Sequence, residues 1–130
     1  MWWQNATTLE IAGRLFVVAF FLHTGLEHLT VRQESHLRLA ATMKVPWPRL
    51  LMILGSSLNV ACCVLLLIGW QEIWGASGLL IFHVLATGIY LRFWTVSDPA
   101  RRNALRNAFA DNVAIFGALL FILNSVLGKA

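Results

Sequence analysis

The chain has 130 residues, of which 58% are of the hydrophobic types AVILMFWYC and only 12% are charged, and its formal net charge is +4. Its mean hydropathy is +0.70. A soluble domain of this size needs more charge to cover its surface, because small domains expose a large share of their residues. The composition therefore excludes an ordinary soluble domain, a disordered tail and a nucleic-acid-binding module. It predicts one helical integral membrane domain over residues 1–130.

Four apolar segments are long enough to cross a bilayer as helices, which takes about 20 residues each. The predicted spans are residues 11–30, 50–71, 73–91 and 112–128. Strands of a membrane barrel are excluded, because they are shorter and alternate between apolar and polar residues. The predicted fold class is all-α, a bundle of four transmembrane helices with short interfacial helices in the cytoplasmic loops. One such helix is predicted over residues 99–110, where Asp98 supplies an N-cap and Pro99 an early helical position.

The basic residues predict how the spans are oriented. Eight of them lie in the segments that connect span one to span two and span three to span four: Arg32, Arg38, Lys44, Arg49, Arg92, Arg101, Arg102 and Arg106. The positive-inside rule places both segments in the cytoplasm and both termini outside it. The predicted location is the inner membrane of a bacterium, with the lipid bilayer and a larger membrane complex as partners and no nucleic acid.

Polar residues inside the predicted spans are candidates for function, because they are costly in lipid. Arg14 lies near the outer end of span one, and two interpretations are open. Its guanidinium reaches the outer headgroups, or it faces the bundle and binds an acidic group or a quinone carbonyl. Glu27 and His28, near the inner end, either relay protons or form a satisfied interfacial pair. His36 is expected to be solvated in its loop.

His23 and His83 lie at similar depths, about 12 Å and 13–14 Å from the inner ends of their spans at 1.5 Å per residue. They either hold one cofactor between two helices, a haem b or a quinone, or are separate neutral histidines with hydrogen bonds of their own. Asn59, Asn112 and Gly117 are predicted to serve helix packing. No catalytic or metal-binding motif is recognised in the sequence, which favours a role that is not catalytic.

Five pieces spread along the chain form a recognisable series: Gly13-Arg14-Leu15, residues 22–28, Lys44-Val45-Pro46-Trp47-Pro48, the second span from Leu54-Gly55 to Gly69, and residues 109–120. In this order they resemble the DoxX family of small four-helix membrane proteins, and the last piece resembles the family's F-x-K-N-l-a-l-l-G-g-l-l. Two positions depart from the family pattern. Asn59 stands where many members carry an acidic residue, and Asp111 precedes Asn112 where the family carries Lys.

The resemblance implies a membrane protein with a redox-linked partner. Some members resemble subunits of quinone-linked thiosulfate oxidoreductases, and others are implicated in oxidative-stress complexes. We therefore expect an accessory subunit, or an assembly or stabilising factor, of a larger and redox-active membrane complex. The alternative is a quinone- or haem-binding subunit of a membrane oxidoreductase, in which Arg14, His23 and His83 hold the cofactor.

Overall fold

The structure, a computed structural model, describes residues 1–129. Four of its helices are long and apolar enough to cross a membrane, and residues 1–129 contain no strand. The predicted all-α bundle of four spanning helices is confirmed, and the chain is a multi-pass membrane protein. In chain order the helices are α1 (Thr8–Leu29), α2 (Gln33–Thr42), α3 (Pro48–Ile68), α4 (Glu72–Tyr90) and α5 (Pro99–Leu127), with 3-10 turns at Trp2–Asn5 and Phe93–Thr95.

The bundle has two ends, because α1, α3, α4 and α5 alternate in direction. The terminal end carries the start of α1, the α3–α4 turn and the end of α5. The loop end carries α2 and the α4–α5 connection. At the terminal end α3 stops at Gly69, whose φ of 72° suits a residue without a Cβ, and α4 begins three residues later at Glu72.

Neighbouring helices pack in chain order. α3 lies between α1 and α4, α4 also packs against α5, and α1 meets α5 at only a few positions. The main core is formed by apolar side chains from all four spanning helices, including Val18, Phe21, Cys63, Leu66, Leu79 and Leu119. A second cluster at the loop end ties α2 and the segment after it to α5, through Ala40, Met43, Val45 and Leu105.

Close approach of the helices depends on glycines that the sequence analysis did not single out. A Cβ added at Gly25 of α1 would lie 2.7 Å from Asn59 Nδ2, and one added at Gly78 of α4 would lie 2.5 Å from Cys62 Sγ. Gly117 does not have the packing role predicted for it, because a Cβ there would meet nothing within 4 Å. No other helix therefore lies close to α5 on the side that this residue faces.

α5 differs from the predicted arrangement of an interfacial helix followed by a separate span. It begins as predicted, since the Asp98 carboxylate accepts a hydrogen bond of 3.0 Å from the backbone N–H of Arg101. It then continues without a break to Leu127. Residues 107–113 contain neither Gly nor Pro, so nothing in the backbone ends the helix at the polar pair Asp111-Asn112. At 1.5 Å per residue, α5 is about 43 Å long.

Candidate functional site

Arg14 is buried at the terminal end, with only 5% of its surface exposed. Its Nη2 lies 2.8 Å from Oε2 of Glu72 and donates a hydrogen bond of 2.6 Å to the carbonyl of Leu66. The Trp2 ring covers it, with the guanidinium carbon 3.9 Å from the ring centroid. Of the two interpretations of Arg14, the one that placed it among headgroups is therefore wrong. It faces the bundle and binds an acidic group.

The sequence analysis missed Glu72 as the partner of Arg14. Glu72 is the first residue of α4, and Arg14 lies six residues into α1 from the same end of the bundle. Their backbones therefore lie about 9 Å apart in depth, and an extended Arg side chain spans much of that distance. The tight turn before Glu72 was the signal that could have paired them. Trp2 is itself held in place, because its indole N–H donates to the carbonyl of Leu67 at 3.0 Å.

A cavity of about 240 Å³ lies toward the loop end, between α1, α2, α3 and α4. Many of the side chains that line it are aromatic or histidine rings. The His36 ring lies between the rings of His28 and Tyr90 and is tilted against both, at centroid distances of 4.5 Å and 4.6 Å. His83 also lines the cavity. The cavity therefore collects three of the four histidines of the chain.

His36 is not solvated as the sequence analysis expected. α2 folds back under the bundle and leaves the imidazole half-buried. Burial, and to a smaller extent the nearby His28, lowers the pKa of His36 to about 4. His36 is consequently a neutral ring at pH 7, able both to donate and to accept a hydrogen bond.

His83 belongs to a closed hydrogen-bond network between α4 and α5. Its Nε2 lies 2.8 Å from the backbone carbonyl oxygen of Asn112, which only accepts, so Nε2 carries a proton and donates it. The Asn112 amide donates to the Thr87 hydroxyl at 2.9 Å, and that hydroxyl donates back to the carbonyl of His83 at 2.7 Å. Asn59 makes a similar link between α3 and α1, donating to the carbonyl of Phe21 at 2.7 Å.

The structure does not bring His23 and His83 together. The buried residues of α1 are Arg14, Val18, Phe21 and Gly25. His23 follows Phe21 by two residues, which is about 200° around the helix, and its side chain is 71% exposed. Phe21, not His23, meets the His83 ring, at a centroid distance of 5.4 Å. The two histidines match in depth and differ in helical phase, so the shared ligand pair is not formed.

The side chains of Glu27 and His28 also point in different directions. Glu27 lies 3.4 Å from His23 Nε2 and 3.3 Å from Arg32 Nε, on the outer side of α1. His28 lines the cavity instead. Successive residues of a helix point about 100° apart, so adjacent positions in sequence seldom share a site. The proposed Glu27–His28 relay is therefore divided between the cavity and the outer face of α1.

Comparisons with known proteins agree with this architecture. The family model described as DoxX matches residues 9–96, which is more than half of the chain. The Surfeit locus protein 4 homolog of Schizosaccharomyces pombe is 27% identical over 127 residues, covering 97% of this chain and 37% of that protein. The chain thus spans little more than a third of that relative's length. No solved structure matches the chain. On the family match, this four-helix membrane protein belongs to the DoxX family.

Proposed function

We propose that the protein is an accessory subunit or assembly factor of a larger, redox-active membrane complex, and that it docks through the outward faces of α1 and α5. One observation carries the proposal. Ionisable side chains point out of the bundle well inside the spanning helices, where lipid cannot satisfy them. Such groups are costly in a bilayer and are normally covered by protein or water.

His23 is the first of these groups. It lies six residues before the end of α1 at Leu29, or about 9 Å inside that end. Its exposed neighbours on the outer face of α1 include the apolar Phe16 at 78% and Leu26 at 47%, and its Nε2 lies 3.4 Å from Oε1 of Glu27. An imidazole–carboxylate pair beside such exposed apolar side chains is the pattern of a helix that is partly covered by another protein.

Asp111 is the second group and lies on α5. It is exposed, and no cationic nitrogen of residues 1–129 comes within ion-pair distance of it. The contact between Asn112 and His83 fixes its depth, because His83 lies seven residues before the end of α4 at Tyr90. Asp111 therefore lies about 10 Å inside that end of the bundle. A hydrogen-bond donor or a cation of a partner helix would satisfy the carboxylate.

A second candidate function is quinone binding, and the cavity at the loop end favours it. The side chains of His28, His36 and Tyr90 line it and form no hydrogen bond with another described residue, so each has a donor free for a carbonyl oxygen. A quinone would supply two such oxygens on a flat ring and would accept electrons from a partner. A haem held between His23 and His83 is excluded, because His23 points away from this cavity.

Purification in a mild detergent separates these two functions. We expect the wild-type chain to co-purify with a larger complex, and His23→Leu and Asp111→Leu to lose that complex while keeping the helical fold. Ile81→Leu, which changes an exposed apolar residue of α4 outside the two docking faces, serves as the matched control and should keep it. Wild-type protein without any bound complex would contradict the docking proposal. Quinone extracted at near one equivalent from the lone chain would support the second candidate instead.

We also propose that the loop end is cytoplasmic in a bacterial inner membrane and that both termini lie outside the cytoplasm. The eight basic residues of the two connections at the loop end support this orientation. A topology reporter fused after Lys129 should be active in the periplasm, and one inserted after Arg102 should be active in the cytoplasm. The reverse pattern would overturn the orientation.

A further inference from the structure

The weak contact between α1 and α5 leaves a groove of about 340 Å³ at the terminal end of the bundle. It is open on the side where the two helices face the bilayer. Arg14, already paired with Glu72, borders it one turn below Glu10. The wall below Arg14 is apolar and is formed by Val17 of α1 and by Ala118, Phe121 and Ile122 of α5. Gly13 lies on the wall of α1, where a Cβ would meet nothing within 4 Å. The groove is thus a slot between two helices that no side chain of its own fills.

The mouth of the groove is polar and carries both signs of charge. Glu10 lies on the α1 side and Lys129 on the α5 side. Ser125 bridges the two helices there, since its hydroxyl donates to Glu10 Oε1 at 3.3 Å. From Ser125 to Ala118 is seven residues, so the apolar wall continues about 10 Å below this mouth.

We infer that this groove binds one phospholipid with an ethanolamine headgroup. The lining is charged from the mouth down to Arg14 and apolar below it, which matches the order of groups along a phospholipid that stands upright in the bilayer. The ammonium group donates hydrogen bonds to Glu10, the phosphate pairs with Lys129, and one acyl chain occupies the wall beside Gly13. A phosphatidylcholine headgroup has no N–H that could donate to Glu10. A phosphatidylglycerol headgroup carries no cation that could pair with Glu10.

Lipid adducts counted by native mass spectrometry test the inference. The full chain, purified in a mild detergent, is mixed with equal amounts of phosphatidylethanolamine, phosphatidylcholine and phosphatidylglycerol of distinguishable mass. We expect a single adduct, in which phosphatidylethanolamine dominates. Gly13→Leu should reduce that adduct about tenfold or more, because its side chain takes the place of several buried methylenes of the lipid.

Three further variants keep the test falsifiable. Gly117→Leu adds the same side chain to open space outside the groove, so its adduct should equal that of the wild type. Ala118→Leu fills the groove from the α5 side and repeats the test should Gly13→Leu fold poorly. Glu10→Gln removes the charge while keeping the capping contact with Thr7, and should abolish the preference for ethanolamine over choline. Equal binding of the three lipids by the wild type, or an adduct that survives in both groove-filling variants, would overturn the inference.

Discussion

Arg14→Met is expected to lower the free energy of unfolding by about 3–5 kcal/mol, because it removes one partner of a buried ion pair and leaves the other charge uncompensated. Glu72 is only 19% exposed, so water compensates its carboxylate poorly once the guanidinium is gone. The variant also leaves the carbonyl of Leu66 without the hydrogen bond that Arg14 donates to it. Thermal unfolding in detergent, followed by circular dichroism, measures the effect as a lowered Tm.

Two controls show whether the ion pair is the cause. The double variant Arg14→Met with Glu72→Gln removes both charges and should recover much of the lost stability, since the unpaired carboxylate is gone. Arg38→Met removes a cation whose pair with Glu34 is exposed on both sides, and should leave the Tm unchanged. An Arg14→Met protein as stable as the wild type, or a double variant no better than the single one, would show that the pair is not what stabilises this end.

Gly25→Val is expected to destabilise the bundle by about 1–3 kcal/mol through overpacking. A Cβ at this position would lie 2.7 Å from Asn59 Nδ2 and 3.0 Å from Val60 Cγ2, so α1 and α3 must separate. Separation also breaks the hydrogen bond that Asn59, 1% exposed, donates to the carbonyl of Phe21. The measurement is again the Tm in detergent.

Gly117→Val is the matched control for this prediction. It places the same branched side chain in the middle of a spanning helix, where nothing lies within 4 Å of the new Cβ. We expect its Tm to be no lower than that of the wild type, because valine is the better helix former of the two. Equal losses in both variants would mean that the effect comes from valine in a helix and not from the contact between α1 and α3.

The number and the approximate places of the spanning helices could be predicted because a bilayer demands long apolar segments and little else. The inward face of each helix could not, since lipid and protein interior are equally apolar. Phe16 and Phe21 illustrate this on α1, where the first is 78% exposed and the second only 2%. Because the inward faces were unknown, His23 and His83 looked like a pair on their similar depths alone, although they differ in helical phase.

The candidate residues could be recognised in the sequence more easily than the contacts that they make. Arg14 was recognised from its cost in lipid, but Glu72 looked like part of a turn because it lies at the end of a span. His36 looked solvated because it was placed in a loop beside Glu34, and only the packing of α2 under the bundle buries the ring. Gly25 carried no signal, since a glycine required by a neighbour's side chain looks the same in sequence as one with open space around it, such as Gly117.

The unbroken length of α5 fixes where its basic residues stand relative to the bilayer. Counted from Leu127, a hydrocarbon core of about 30 Å ends near Asn107. Arg106 then lies at the boundary, and Arg101 and Arg102 stand about 8 Å beyond it on the same rigid rod. That distance is close to the Debye length at physiological ionic strength. Each basic residue near an anionic lipid surface contributes about 1 kcal/mol of electrostatic attraction. The attraction of this helix to such a surface should therefore weaken steeply as the salt concentration is raised.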